Sequence, residues 1–324
     1  MSSQTSSDEI GDSRGKKDMK ILVTGGAGFI GSNVVDAYIE KGYEVVVVDD
    51  LSSGKKENLN KKAKFYKVDI CDRSLEEVFE EERVDIVNHH AAQVDVRKSI
   101  ADPALDARVN IEGSLHILES CRKYEIKKII FASSGGVIYG ECGSIPPNED
   151  SPVSPISPYG VSKYAMECYL SSYEKIYGLK YTALRYGNVY GPRQDPYGEA
   201  GVVAIFSGKM LNNEEVNIFG DGEQVRDYVY VGDVVQANIL CLENSDNEIF
   251  NIGTGKSTSV NRLFSEMKEL THYSKEAVYK PARPGELMRS SLDVGKAEQK
   301  LGWKAEVNLR EGLKNTIEFF REKS

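Results

Sequence analysis

The sequence predicts an α/β fold, a doubly wound parallel sheet joined to a smaller α+β part, and three observations carry that prediction. Short apolar runs alternate with helical patterns over residues 19–185. Runs such as Val45-Val46-Val47-Val48 and Ile129-Ile130-Phe131 are apolar at every position, as strands covered on both faces are. A glycine-rich turn at residues 25–31 separates the first apolar run from the first helical pattern. Strands that alternate with helices pair in parallel through right-handed crossovers.

Taken in order, the expected elements are a strand at 20–24, a helix at 28–41, strands at 44–49 and 64–68, a helix at 74–82 and a strand at 84–89. A long helix at 104–124, a strand at 128–133, a helix at 158–177 and a strand at 180–185 follow. Past Arg185 the rhythm changes, and loops lengthen around residues 186–201 and 283–289. Short strands are expected there at 216–219, 228–231 and 249–252, with helices at 233–243, 260–271, 293–301 and 309–321. Residues 1–18 are polar and aperiodic and read as a flexible leader. The expected division is that leader, a nucleotide-binding domain at 19–185 and a second domain at 186–324, with some later segments returning to the first.

Charge and composition narrow the partners. The 324 residues carry 41 Lys and Arg against 50 Asp and Glu, a net −9, and phosphate backbones demand a basic face, so nucleic acid is not expected. No run approaches the ~18 apolar residues of a membrane span, and the leader lacks the apolar stretch of a signal peptide. The five cysteines, Cys71, Cys121, Cys142, Cys168 and Cys241, are scattered, with no C-x-x-C. They read as free thiols in a reducing compartment, so a cytoplasmic protein without membrane or metal site is expected.

Thr24-Gly25-Gly26-Ala27-Gly28-Phe29-Ile30-Gly31 fits G-x-G-x-x-G through Gly26, Gly28 and Gly31, and G-x-x-G-x-x-G through Gly25. Missing side chains permit a tight turn, close approach of pyrophosphate to backbone, and packing of helix on strand. The helix N-terminus adds free N–H groups and partial positive charge. The second strand ends in Asp49, about twenty residues on, where a carboxylate accepts ribose hydroxyls. A negative group there repels a 2′-phosphate, which favours NAD over NADP. Asp69-Ile70, after the third strand, stands where such a sheet contacts adenine; a plain loop aspartate is the alternative.

Ser157 and Pro158 mark a helix start, as N-cap and first position. Tyr159 and Lys163 then lie at i and i+4 on one face. A phenol that works as a base near neutral pH must fall from about 10 by roughly three units, or about 4 kcal/mol. One positive charge at about 4 Å supplies roughly that at an effective dielectric of 20. The pair is therefore a candidate acid–base device.

These residues together resemble the extended short-chain dehydrogenase/reductase family, and within it the NAD-dependent UDP-galactose 4-epimerases. The resemblance runs from residue 19 to the C-terminus through residues 25–31, 49–54 and 90–93, Asn110, residues 133–140, Tyr159 with Lys163, and residues 185–193, 222–231 and 283–286. It implies a Rossmann-type sheet for NAD, lined by Gly25, Gly28, Phe29, Ile30, Gly31, Asp49, Asp50, Ser53, Gly54, Asp69, Ile70, Ala91, Asn110, Tyr159, Lys163 and Tyr186. It also implies that Asn188, Arg226, Arg283 and Glu286 hold the UDP group of a UDP-sugar, with the arginine forks on the diphosphate and Glu286 on ribose hydroxyls. The activity implied is UDP-hexose 4-epimerisation with Tyr159 as base, and the assembly implied is a homodimer through helices 104–124 and 158–177.

Two departures stand out. The family places a Ser or Thr four residues before the tyrosine of its V-Y-G signature, but in Ser133-Ser134-Gly135-Gly136-Val137-Ile138-Tyr139-Gly140 that position is Gly135. Either Ser134 takes the role through a shifted backbone, or Tyr159 works without it. Gly187 stands where many members carry a larger residue. Gly135 and Gly136 also lack the side chains that a 4,6-dehydratase or a glucuronate decarboxylase needs for acid–base work. A UDP-glucuronate 4-epimerase stays open as an alternative, as does a dinucleotide-binding protein without turnover. The resemblance places Ser290 at the wall facing the sugar's C2 substituent, where a small residue admits N-acetylated sugars.

Overall fold

The computed structural model describes residues 19–141, 143, 146–197, 201–283 and 286–323; the expected leader at 1–18 and Cys142 lie outside them. The chain begins β1 (Lys20–Thr24), α1 (Phe29–Glu40), β2 (Glu44–Val48), β3 (Lys64–Tyr66), α2 (Ser74–Glu82), β4 (Ile86–His89), α3 (Val96–Ala101) and α4 (Pro103–Ala107). A wide-turned segment, Arg108–Gly113, leads to α5 (Ser114–Lys123), β5 (Lys128–Ser134), α6 (Gly135–Ile138), α7 (Pro158–Tyr177), β6 (Lys180–Tyr186) and β7 (Asn188–Tyr190). Next come α8 (Val202–Leu211), β8 (Asn217–Phe219), β9 (Val225–Tyr230), α9 (Val231–Glu243) and β10 (Glu248–Ile252). The chain closes with β11 (Ser257–Ser259), α10 (Val260–Thr271), β12 (Val278–Lys280), β13 (Arg289–Ser290), a short turn Ala297–Leu301 and α11 (Leu309–Lys323).

Seven strands form one parallel sheet in the order β10-β6-β5-β4-β1-β2-β3. Successive side chains on a strand point to opposite faces, so each apolar strand feeds two cores. Ile21, Val23, Val45, Val47 and Ile130 pack with Val34 and Val35 of α1 and Val234 and Ala237 of α9. Leu22, Val46, Val48, Ile129 and Phe131 pack on the other face with Leu75 of α2, Leu118 of α5 and Leu170 of α7. Each such side chain contributes about 1.5–3 kcal/mol on full burial. Strand order rises outward on both sides of the β1–β4 pair, and ligands bind at such a switch point, beyond the C-terminal strand ends.

The remaining strands make smaller sheets, β11-β9-β13 with β7 against β9, and β12-β8. They pack with α8, α10 and α11 around Phe206, Leu263, Phe264 and Leu313. The structure differs from the expected elements in several places, two of them instructive. The helix at 104–124 is broken, because Asp102 caps α4 and the wide turn at Arg108–Gly113 interrupts the helical register before α5; such turns re-aim side chains. Helix α8 went unread because Val202-Val203-Ala204-Ile205-Phe206 shows no helical period: a helix apolar all round presents none. Among the described residues no helix is long and apolar enough to cross a membrane.

Candidate active site

At the switch point the chain passes from β1 to α1 through a turn made of backbone. Gly25 has φ +68°, donates its N–H to Val48 O at 2.8 Å, and would place a Cβ 2.7 Å from Ala91 N. A Cβ on Gly31 would fall inside the van der Waals shell of Gly25 O, so helix and turn touch backbone to backbone. Gly28 is the N-cap and no side chain caps the helix, so Phe29 and Ile30 open α1 with the uncapped N–H groups and dipole end that a pyrophosphate requires.

Asp49 is buried beside this turn. Its Oδ2 accepts Ala27 N at 3.0 Å and its Oδ1 accepts Leu51 N at 2.8 Å. Burial raises its pKa and the two backbone donors pull it back. Each carboxylate oxygen keeps a second lone pair for a ribose hydroxyl. Gly54 packs on the carboxylate, where a Cβ would stand 2.5 Å from Oδ1. Asp50 turns to Ser52 N and Oγ at 2.9 and 2.7 Å, and Ser53 is exposed on the same loop. Past β3, Ile70 packs beneath Gly113, while exposed Asp69 closes a local turn on Cys71 N at 2.8 Å. Ala91 N donates to Thr24 Oγ1 at 3.2 Å and brings β4 to the same crevice. These donors and acceptors fit a dinucleotide.

Helix α7 starts at Ser157, whose Oγ accepts Gly160 N at 3.2 Å, with Pro158 at its first position. Lys163 is buried and donates to Ala132 O at 2.9 Å, and its Nζ lies 5.8 Å from the centre of the Tyr159 ring. Burial lowers Lys163 to about 8, against the charges of Asp106 and Glu167, which raise it. Asn110, in the wide turn, accepts Gln93 N at 2.8 Å and donates to Gln93 O at 2.8 Å. His89 bridges Thr24 Oγ1 and Ser114 Oγ at 2.6 and 2.9 Å, and burial holds it neutral, near 3.

The two serines of β5 part company. Ser133 Oγ donates to Glu167 Oε1 at 2.6 Å, inside a buried cluster where Arg185 grips Glu167 at 2.6 Å and donates to Tyr139 OH at 2.6 Å. Ser134, half-buried at the strand end, belongs to a different group. A Cβ on Gly136 would stand 3.7 Å from Asn188 Oδ1, 3.8 Å from Ser134 Oγ and 3.9 Å from Ser290 Oγ, so three polar side chains converge on one open point. Ser290 is buried and donates to Gly136 O at 3.3 Å. A Cβ on Gly135 would lie 2.7 Å from both methyls of Leu292, which leaves no room there for the serine or threonine of the family pattern.

Arg226 of β9 stands in register with Ser290 and donates to Val225 O at 2.9 Å and to Glu286 Oε1 at 3.4 Å. Arg283 lies across the Phe219 ring at 3.7 Å from its centre. Tyr186 turns its side chain into the core, stacked on His90 with its hydroxyl accepting Asn238 Nδ2 at 2.9 Å. Gly187 has a steric reason: a larger residue would put its Cβ 2.8 Å from Asp227 O.

Sequence reasoning missed several supports. Glu141 accepts Met288 N and Arg289 N, both at 2.9 Å, and so seats the strand that carries Ser290. Asp227 ties β9 to the chain after β10 through Thr254 N at 2.7 Å and Gly255 N at 3.0 Å. Glu167 had a legible signal, since it follows Tyr159 and Lys163 at i+8 on the same face; Glu141 had none.

A family model described as the NAD dependent epimerase/dehydratase family matches residues 21–253. A UDP-glucose 4-epimerase of Thermotoga maritima, solved with UDP-glucose, is 60% identical with a TM-score of 0.93, over 94% of this chain and 99% of that one. A UDP-glucose 4-epimerase of Thermus thermophilus in complex with NAD is 46% identical with a TM-score of 0.92, over 94% and 100%. A UDP-N-acetylglucosamine 4-epimerase of Methanobrevibacter ruminantium, in complex with UDP-N-acetylmuramic acid, is 39% identical with a TM-score of 0.90, over 95% and 99%.

Proposed function

The chain belongs to the NAD dependent epimerase/dehydratase family, and from that premise we propose that it is a UDP-hexose 4-epimerase interconverting UDP-galactose and UDP-glucose with bound NAD. The observation that carries the reading is Lys163, on one helix face with Tyr159 and anchored at Ala132 O, two residues before Ser134, which with Asn188 and Ser290 rings the open point at Gly136.

In this reading Gly25, Gly28, Phe29, Ile30 and Gly31 hold the pyrophosphate of NAD. Asp49, Asp50, Ser53 and Gly54 take the adenosine ribose, Asp69 and Ile70 the adenine, and Ala91, Asn110 and the strand end at Tyr186 the nicotinamide side. When bound, NAD supplies a hydride acceptor that takes and returns the hydrogen of C4. Tyr159 accepts the proton of the 4-hydroxyl and later returns it, with the Lys163 ammonium favouring its phenolate form. Ser134 donates to the same oxygen, a bond to a charged group worth about 1.5–3 kcal/mol. Arg226, Arg283, Glu286 and Asn188 would keep the UDP group in place while the 4-keto sugar turns, so that C4 would present its opposite face to the hydride while Tyr159 returns the proton to O4.

Ser290 extends the reading to the N-acetylated pair. Its side chain is small and its hydroxyl rests on Gly136 O, which leaves the wall without bulk where an acetamido group must swing. We also assign a cytoplasmic homodimer. Val161, Tyr164, Tyr169 and Ile176 are exposed along α7, an apolar face that suits a second copy, and the four described cysteines are free, as a reducing compartment keeps them.

The test is incubation with UDP-galactose, UDP-N-acetylgalactosamine and UDP-glucuronate separately, with products read by NMR. The first two are expected to convert, and Ser290→Tyr to suppress the acetylated reaction alone. A wild type that converts only UDP-glucuronate, or a tyrosine variant that treats both sugars alike, contradicts the reading.

A further inference from the structure

Asp106 is a carboxylate that the mechanism leaves idle. It sits on α4 one helical turn before Asn110, is 1% exposed, and forms no ion pair among the described residues. Its Oδ1 accepts Gln93 Nε2 at 2.9 Å and Asn110 Nδ2 at 3.0 Å. Neutral amides satisfy its hydrogen bonds without cancelling its charge, and a buried carboxylate is costly unless a cation answers it. Across Asn110 stands α7: the same amide reaches Ser162 Oγ at 3.3 Å, and Ser162 Oγ donates to Tyr159 O at 3.0 Å. Lys163, the next residue, is a buried cation that likewise forms no ion pair among the described residues.

The groups facing Lys163 are few. Its own helix presents Tyr159 and Glu167, the end of β4 presents His89 and His90, and β5 presents the Ala132 carbonyl and the Phe131 ring. Burial holds both imidazoles near 3, so they are neutral. Glu167 spends its charge on Arg185 of β6, which grips both its oxygens at 3.0 and 2.6 Å. On α3, Arg97 is exposed and paired with Asp95 at 3.0 Å. Arg108 and Glu112 of the wide turn lie toward Cys71, and Glu119 of α5 is taken by Arg122 and Tyr173. Asp106 is the charge left over.

We propose that Asp106 is the counter-charge of Lys163, a positioning residue that keeps the buried ammonium protonated and so fixes the pH range in which Tyr159 works. The proposal rests on the roles given to Tyr159 and Lys163 above. It agrees with the direction of the charge effect, since Asp106 leads the groups that raise Lys163 against its burial. Removing a negative charge disfavours protonated forms, so Lys163 and Tyr159 both move toward lower pH.

The experiment uses the protein with its NAD bound. Asp106→Asn keeps an acceptor for both amides and drops the charge. Titration of Lys163 by NMR of isotope-labelled lysine is expected to show its midpoint lowered by about one pH unit, with the alkaline limb of kcat moving the same way. An unchanged midpoint with a lower rate plateau makes Asp106 merely structural and overturns the proposal. Asp106→Glu covers a misfolded asparagine variant: with the charge restored, the midpoint and the limb are expected where the wild type has them, and a midpoint lowered as far as in a charge-free site overturns the proposal. The lysine titration is read whether or not Tyr159 is the base. A Tyr159→Phe variant that keeps its rate therefore refutes the mechanism without touching the charge pair.

Discussion

The two sides of the crevice are built from different materials. On the cofactor side the contacts are backbone on backbone: Gly25 against Ala91, Gly31 against Gly25, and Ala27 N on the Asp49 carboxylate. On the side proposed for the sugar they are side chains delivered by separate segments, Ser134 from β5, Asn188 from β7, Arg226 from β9 and Ser290 from β13. A backbone-built site tolerates no added atom but leaves glycines in the sequence at fixed spacing. A side-chain-built site tolerates substitution but depends on register between segments as far apart as Gly136 and Ser290, which are separated by 154 residues.

That contrast predicts a graded set of variants. Gly31→Ala strikes the backbone-built side and is expected to cost more than tenfold in retained NAD, read by absorbance of the purified protein; a variant that keeps its cofactor breaks the comparison. Gly135→Ala meets the Leu292 methyls and is expected to lose about 1–3 kcal/mol of stability in urea titration. Gly136→Ala meets only ordinary contacts, so it should unfold at the wild-type urea concentration while raising KM for the UDP-sugar. Equal stabilities for the two would show that the strand end is placed one residue out.

A smaller effect separates the serines. Ser134→Ala is expected to lower kcat by about tenfold or more, as loss of a bond to a charged group does. Ser133→Ala should spare kcat and instead cost about 1 kcal/mol of stability, because it strips a donor from buried Glu167. Kinetics and unfolding on the same pair of variants decide this. The smallest expected change is Glu141→Gln: the strand holding Ser290 loses charge-assisted bonds, and KM rises by about fivefold with kcat unchanged.

The same contrast explains what was legible in the sequence. The parallel sheet, the glycine turn and Asp49 were readable because periodicity and missing side chains are local properties. Tyr159 and Lys163 were readable because a helix fixes i and i+4 on one face. Leu292 filling the space over Gly135 was not, since no local signal links positions so distant. Nor was the break in the helix expected at 104–124, since Arg108–Gly113 contains no proline to mark where the helical register changes. Tyr186 stands at a strand end, and that position alone could not tell that its ring stacks on His90 with its hydroxyl at Asn238.

The most direct test of the central claim is Tyr159→Phe, assayed for interconversion of UDP-galactose and UDP-glucose with its NAD content measured on the same sample. The account predicts turnover below a tenth of the wild-type rate with NAD still bound, because the ring still packs and only the proton acceptor is gone. A variant that keeps more than a tenth of the rate would show that another group takes the proton, and the assignment of the base would be wrong.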